Sequence, residues 1–180
     1  MNPETFNKIS NLLRGYPDWS SLSSFITFDI VKDNLDKPWD YDALSRNTNI
    51  TWDIVTENPD LPWRYRELSR NPNITWDIVK STIHNPWNFW YLSEQPFITW
   101  EIVKENPDVE WNYDSLSKNP NITWDIVEAN PHKPWNYKAL SQNPNITWDI
   151  VEANLDRPWD YESIFERMKT TQYQLSYVLK

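Results

Sequence analysis

Asn49-Ile50-Thr51-Trp52-Asp53-Ile54-Val55 is the stretch whose reading decides the fold, because the chain repeats its core at fixed intervals. Thr-Trp-Asp-Ile-Val begins at Thr51, Thr75, Thr123 and Thr147, Thr-Trp-Glu-Ile-Val at Thr99, and Thr-Phe-Asp-Ile-Val at Thr27. Each start lies 24 residues after the one before. A second phase is equally regular: Trp39, Trp63, Trp87, Trp111, Trp135 and Trp159 are followed two residues on by Tyr41, Tyr65, Phe89, Tyr113, Tyr137 and Tyr161. Leu44, Leu68, Leu92, Leu116, Leu140 and Ile164 come three residues later. A constant period of this size is the mark of a repeat architecture.

Around Thr51 the local chemistry reads as a short helix. Thr51 suits the N-cap, Asp53 puts a negative charge in the first turn, and Ile50 with Val55 has the spacing of a hydrophobic staple. Asn58-Pro59 stops the helix, since proline disfavours helical geometry in the residue before it. The second half of the unit repeats the pattern, with Asp40, Asn88, Asn112, Asn136 and Asp160 as caps and Asn71-Pro72, Asn119-Pro120 and Asn143-Pro144 as stops. Helices of about two turns do not survive alone, so neighbouring units must stabilise them. The competing reading is β: Thr, Trp, Ile and Val favour strands, and a period of 24 lies within the range of leucine-rich repeats. Against it, the Leu-x-x-Leu-x-Leu spacing is absent, and the single Gly leaves a β-coil without its usual corner residue.

The expected fold is therefore all-α, an α-solenoid of six 24-residue two-helix repeats with terminal capping helices. Residues 1–26 form the N-terminal cap, with a helix from Asn2 to Gly15 and an abbreviated half-unit at Trp19, Leu22 and Ile26. Residues 27–163 hold the six repeats. Residues 164–180 form a C-terminal capping helix with Phe165, Met168, Tyr173, Leu175 and Val178 on its apolar side. The whole is expected to be one continuous domain.

Composition narrows the function. With 13 Trp, 14 Pro and aromatics at 16%, the prolines punctuate packed elements rather than mark disorder. A net charge of −9 without a basic run disfavours nucleic acid and anionic membrane surfaces. No apolar run approaches the roughly 20 residues that span a bilayer, and residues 1–10 lack the plan of a signal peptide. With no cysteine, disulfides and thiolate metal sites are excluded, which fits a reducing, cytoplasmic compartment.

Strings such as Asn121-Ile122-Thr123-Trp124-Asp125-Ile126-Val127, followed by Lys133-Pro134-Trp135-Asn136-Tyr137, resemble the Trp- and Asn-Pro-rich tandem repeats in proteins of giant DNA viruses of the mimivirus kind. The resemblance covers about residues 27–163. It implies a viral origin and action in the infected cell's cytoplasm or in the virion, and it brings no catalytic residue with it.

Catalytic constellations are not evident. A Trp-Asp pair present in every copy serves helix starts, since a catalytic pair is needed once. Asn47, Asn71, Asn119 and Asn143 are expected to satisfy loop backbone groups between layers. Asp36, Asp40 and Asp42 are spaced loosely like calcium ligands but lack the glycine of an EF-hand loop. His84 and His132 lie in loops two copies apart, about 20 Å at 8–10 Å per layer, too far to share a metal. No cofactor, metal site or enzymatic activity is expected.

The residues that break the pattern are the informative ones. Trp90 occupies a phase held by Asp42, Arg66, Asp114, Lys138 and Glu162. Tyr91 replaces Ala43, Glu67, Ser115 and Ala139, and Phe97 replaces Asn49, Asn73, Asn121 and Asn145. The preceding copy carries Arg64, Arg66 and Arg70 in an otherwise acidic chain, and His84 replaces a loop aspartate. Arginine and exposed aromatics are typical of binding hot spots. The expectation is a protein-binding scaffold that is a monomer, with self-association through the C-terminus as the alternative.

Overall fold

The computed structural model describes residue 4 and residues 18–178, with side chains through residue 169. Among them there are thirteen helices and no strand, which decides the choice between helix and β-coil. Residues gather into two compact units, Met1–Asn88 and Phe89–Lys180. The first contains α1 (Trp19–Ser23), α2 (Phe28–Lys32), α3 (Tyr41–Arg46), α4 (Trp52–Glu57), α5 (Tyr65–Leu68) and α6 (Trp76–Ser81). The second contains α7 (Phe89–Glu94), α8 (Trp100–Glu105), α9 (Tyr113–Lys118), α10 (Trp124–Ala129), α11 (Tyr137–Leu140), α12 (Trp148–Glu152) and α13 (Tyr161–Val178). The expected helix over residues 2–15 lies outside the described residues, apart from Glu4, which is helical. The side chains of Tyr173, Leu175 and Val178 lie outside them too.

The local rules explain where helices begin. Thr51, Thr75, Thr99 and Thr147 accept from the backbone N–H three residues on, although each bond is long at 3.4 Å. Thr27 and Thr123 hold the same extended backbone without that bond, so the cap hydroxyl adds little and the staple adds more. Ile50, Ile74, Ile98, Ile122 and Ile146, with Val55, Val79, Val103, Val127 and Val151, are all buried. Helices α1 to α12 have four to six residues, shorter than two turns, and four of the first-half helices are closed by an Asn that bends back onto them. Asn58, Asn106, Asn130 and Asn154 donate through Nδ2 to the carbonyl four residues earlier, at 2.7–2.8 Å. Their own carbonyls then accept from the indole N–H of Trp63, Trp111, Trp135 and Trp159. Each connecting loop is thereby fixed at both ends.

Polar side chains at fixed phases join one copy to the copy before it. In the first unit Asn71 Nδ2 lies within hydrogen-bond distance of three carbonyls, Ser45 (2.9 Å), Asn47 (3.0 Å) and Ile50 (3.1 Å). In the second unit Asn119 does the same to Ser93, Gln95 and Ile98, and Asn143 to Ser117, Asn119 and Ile122. A neighbouring asparagine adds to it: Asn73 reaches Thr48 and Ile50, Asn121 reaches Pro96 and Ile98, and Asn145 reaches Pro120 and Ile122. The third copy has Gln95 and Phe97 at these two phases, and the division between the units falls inside that copy.

Serine supplies a second connection. The hydroxyls of Ser45 and Ser69 accept from the backbone N–H of Arg64 and Asn88, and those of Ser93, Ser117 and Ser141 from Asn112, Asn136 and Asp160. Aromatic contacts make a third. Trp87 meets Trp52 at 5.6 Å and Tyr65 edge-on at 5.1 Å; Trp135 meets Trp100 and Tyr113, and Trp159 meets Trp124 and Tyr137, in the same way. Offset and edge-on ring pairs are the favoured arrangements.

Both ends of the pattern are modified versions of it. Asn47 donates to Ser23 and Ile26, so the half-unit of α1 serves as a copy for the first full one. Helix α13 begins at Tyr161, three residues before the expected start, because Trp159 and Asp160 still follow the consensus. Arg167 stands at the asparagine phase and reaches the same carbonyls, Ser141 at 3.4 Å and Ile146 at 2.5 Å.

Two outcomes follow from these bonds. Asn119→Ala leaves the Ser93 and Gln95 carbonyls without this donor, Ile98 keeping Asn121, and should cost about 3 kcal/mol in urea unfolding, whereas Asn121→Ala costs less because water reaches its partly exposed bonds. The cap carboxylates give a pH dependence. Ser163, through hydroxyl and backbone N–H, holds Asp160 below its usual value, and Ser20 together with the N–H groups of Ala43 and Asp42 and the charge of Arg46 does so for Asp40 despite its desolvation. A depressed folded-state value stabilises above the unfolded value, and that stability is lost as pH falls through the folded one. Stability should therefore decline below about pH 4. Asp160→Asn, which keeps the cap as Asn136 does naturally, should flatten that limb in urea midpoints measured across pH.

Candidate binding surface

The phase of Trp90 is a surface phase. Asp42, Arg66, Asp114, Lys138 and Glu162 are all exposed, and Trp90 on α7 is 55% exposed. The next most exposed tryptophan, Trp148, shows 37% and lies against Phe165 at 5.5 Å. Among the described residues no hydrogen bond or ring contact involves the Trp90 indole. The ladder tryptophans, in contrast, bond through their ring N–H and stack on their neighbours.

Its two companions differ. Tyr91 takes a phase that is buried in Ala43, Glu67, Ser115 and Ala139, so its ring enters the packed side of the helix and stays half-buried there. Phe97 replaces an asparagine that elsewhere donates to the preceding copy, and it too is half-buried. Trp90 alone of the three presents most of its area to water.

In the first unit the arginines converge on a group that the repeat pattern alone did not single out. Glu67 is only 6% exposed. Its Oε2 lies 3.3 Å from Arg46 Nε and 3.5 Å from Arg70 Nη1, and its Oε1 lies 3.8 Å from Arg66 Nη1. Arg64 Nε faces Asp42 at 3.3 Å. The signal was present: Glu67 is the one carboxylate in a phase otherwise filled by Ala43, Tyr91, Ser115, Ala139 and Ser163. The role of the recurring Leu-Ser pairs was likewise missed, because an isolated serine reads as neutral in a helix.

His84 and His132 are both exposed in loops. Asp36, Asp40 and Asp42 are engaged separately, with Lys37, with the start of α3 and with Arg64. Among the described residues no cluster of three metal-binding side chains exists. Nor is any described helix long and apolar enough to cross a membrane. The seven candidate residues divide between the units, with Arg64, Arg66, Arg70 and His84 in the first and Trp90, Tyr91 and Phe97 in the second.

Each unit also contains an open apolar cleft at the same phase. In the first, Trp52, Val55, Pro59, Leu61, Trp63 and Tyr65 line about 450 Å³. In the second, Trp100, Val103, Pro107, Val109, Trp111 and Tyr113 line about 330 Å³. Leu61 and Val109 stand where other copies carry Lys37, Asn85, Lys133 and Arg157, and Lys104, Glu110, Asn130 and Lys133 add a polar side to the second cleft. Neither contains a nucleophile beside a base, and both suit an apolar side chain better than a reaction.

Comparison with protein-family models, curated proteins and solved structures finds no match for this chain.

Proposed function

We propose that this chain is an α-solenoid scaffold that binds another protein, with Trp90 as a principal anchor. The observation that carries the reading is the contrast between Trp90 and the rest of the repeat. Consensus tryptophans, asparagines and serines are consumed in joining copies, whereas the Trp90 indole is exposed and joins nothing. Covering an exposed tryptophan is the commonest way for one residue to supply much of a binding energy. The apolar clefts beside Trp63 and Trp111 extend the surface available to a partner. On its resemblance to giant-virus repeats, the chain is a viral protein that engages a host protein in the cytoplasm or serves in the virion, without catalysis.

A second reading, self-assembly through the C-terminal helix, is favoured by the exposure of Tyr161 (40%) and Phe165 (50%) on α13. Mass in solution measured against concentration separates the two, and a persistent monomer removes assembly.

Trp90→Asp restores the residue that the first copy has at this phase. It should leave the thermal midpoint nearly unchanged while weakening partner binding tenfold or more, about 1.4 kcal/mol. Cross-linking and affinity capture from expressing cells, comparing wild type with this variant, identifies the protein to titrate. A marked fall in the melting temperature with affinity intact assigns Trp90 to packing and overturns the reading.

A further inference from the structure

Asn49, Asn73, Asn121 and Asn145 each open the triplet Asn-Ile-Thr, and every residue of the triplet has a structural task. The isoleucines are buried. The threonines hold the N-cap positions of α4, α6, α10 and α12. The asparagines donate through Nδ2 to the copy before them. The same order of residues, asparagine, any residue but proline, then threonine, is the acceptor sequence for asparagine-linked glycans, whose place is an open surface loop. A task inside the fold and a chemical reactivity therefore fall on one nitrogen, and the coincidence recurs in four copies.

The geometry makes the two uses incompatible. A carbonyl oxygen of the preceding copy stands 2.7 Å from Asn73 Nδ2 and 2.6 Å from the Nδ2 atoms of Asn121 and Asn145. A second carbonyl stands 3.0 Å from the first of these nitrogens and 3.1 Å from the other two. A sugar carbon replacing a hydrogen aimed at one of these oxygens is bonded at about 1.45 Å, far inside the roughly 3.3 Å that a close C···O contact keeps. The nitrogen must leave its carbonyls to react, and afterwards a single N–H remains for two of them. These three asparagines are half-buried. Asn49 is exposed, with bonds of 2.8 and 3.4 Å, and is the most open of the four.

We propose that Asn73, Asn121 and Asn145 accept asparagine-linked glycans while the chain is unfolded and are closed to them once it folds, so that the protein matures only where no oligosaccharide is transferred to asparagine. The donor is a lipid-linked oligosaccharide pyrophosphate. Nδ2 forms a bond to the anomeric carbon, and the bond from that carbon to the pyrophosphate oxygen breaks. The lipid pyrophosphate leaves with the electron pair, and one amide proton goes to a base of the transferase. The glycan then stands between two copies that pack on each other. Because each copy is held by its neighbours, one such glycan loosens more than its own loop. The inference makes no use of Trp90, and the binding reading stands or falls apart from it.

The test directs the full chain, behind a cleavable secretory leader, into the glycosylating compartment of a eukaryotic cell and compares it with the same chain made in the cytosol. Glycans are counted by the mobility steps that an endoglycosidase removes, and folding by the rate of limited proteolysis. Molecules with two or more glycans carry at least one at Asn73, Asn121 or Asn145, and should be cleaved about tenfold faster than the cytosolic chain, or more. Blocking synthesis of the lipid-linked donor should restore slow cleavage to the leader-directed chain. Thr51→Asp, Thr75→Asp, Thr123→Asp and Thr147→Asp combined remove all four acceptor triplets, keep a favourable cap residue as Asp40 is on α3, and should do the same. The donor block needs no substitution, so it decides the matter should that variant not fold. Molecules with two or more glycans that are cleaved as slowly as the cytosolic chain, a leader-directed chain that folds unmodified, or fast cleavage that persists under the donor block each overturns the proposal.

Discussion

The carboxamide N–H groups of one recurring asparagine carry the constraint on which the rest depends. Short helices leave carbonyls at their ends without partners inside the helix. Here the carbonyls that close the second helix of one copy and enter the first helix of the next would be buried without a donor. Asn71, Asn119 and Asn143 each cover three of them from the following copy. A single side chain thus makes burial of the loop affordable and fixes the register between copies. Helix propensity contributes little at four to six residues per helix.

This division of labour explains why the copies tolerate so much variation elsewhere. Within one unit, Asn, Ser and Trp at their phases settle how copies meet, and the exposed positions between them carry Asp, Glu, Lys or Arg without effect on that arrangement. Trp90 and the Arg–Glu cluster use this freedom in opposite ways. Trp90 changes a surface position and leaves the packed positions alone, whereas Glu67 enters a packed position and draws surface arginines toward it. The first needs no structural compensation. The second requires at least one opposite charge close by, because a buried carboxylate without a partner costs several kcal/mol.

Periodic features were legible in the sequence, and features that depend on a single neighbour were not. Thr51-Trp52-Asp53-Ile54-Val55 and its siblings announce helix starts because capping and stapling act within six residues. The bridging role of Asn47, Asn71, Asn119 and Asn143 was readable because the same amide recurred where backbone groups had to be satisfied. Helix length was overestimated, since nothing in Asn58-Pro59 reveals that the Asn58 side chain turns back to Ile54. Ser45 and Ser69 were overlooked because their acceptor role exists only when the next copy presents an N–H. Of the candidate residues, the exposure of Trp90 was legible by comparing copies. Tyr91 was grouped with it, although the small buried residues at its phase in Ala43, Ser115 and Ala139 already marked a packing position.

Among the described residues, the asparagine bonds that join copies run the same way: the later copy donates and the earlier copy accepts. A nascent chain emerges in that order, so each copy leaves the ribosome with acceptors that only water serves until the following 24 residues arrive. Growth within each unit is therefore vectorial, as in a polymer with one active end, and the newest copy is always the one least held. The reaction needs a chain terminator of its own, a donor that satisfies the last acceptors without creating a further asparagine site. Arg167 fills that position: its guanidinium serves the carbonyls of Ser141 and Ile146 from within the long C-terminal helix, and with it the series stops.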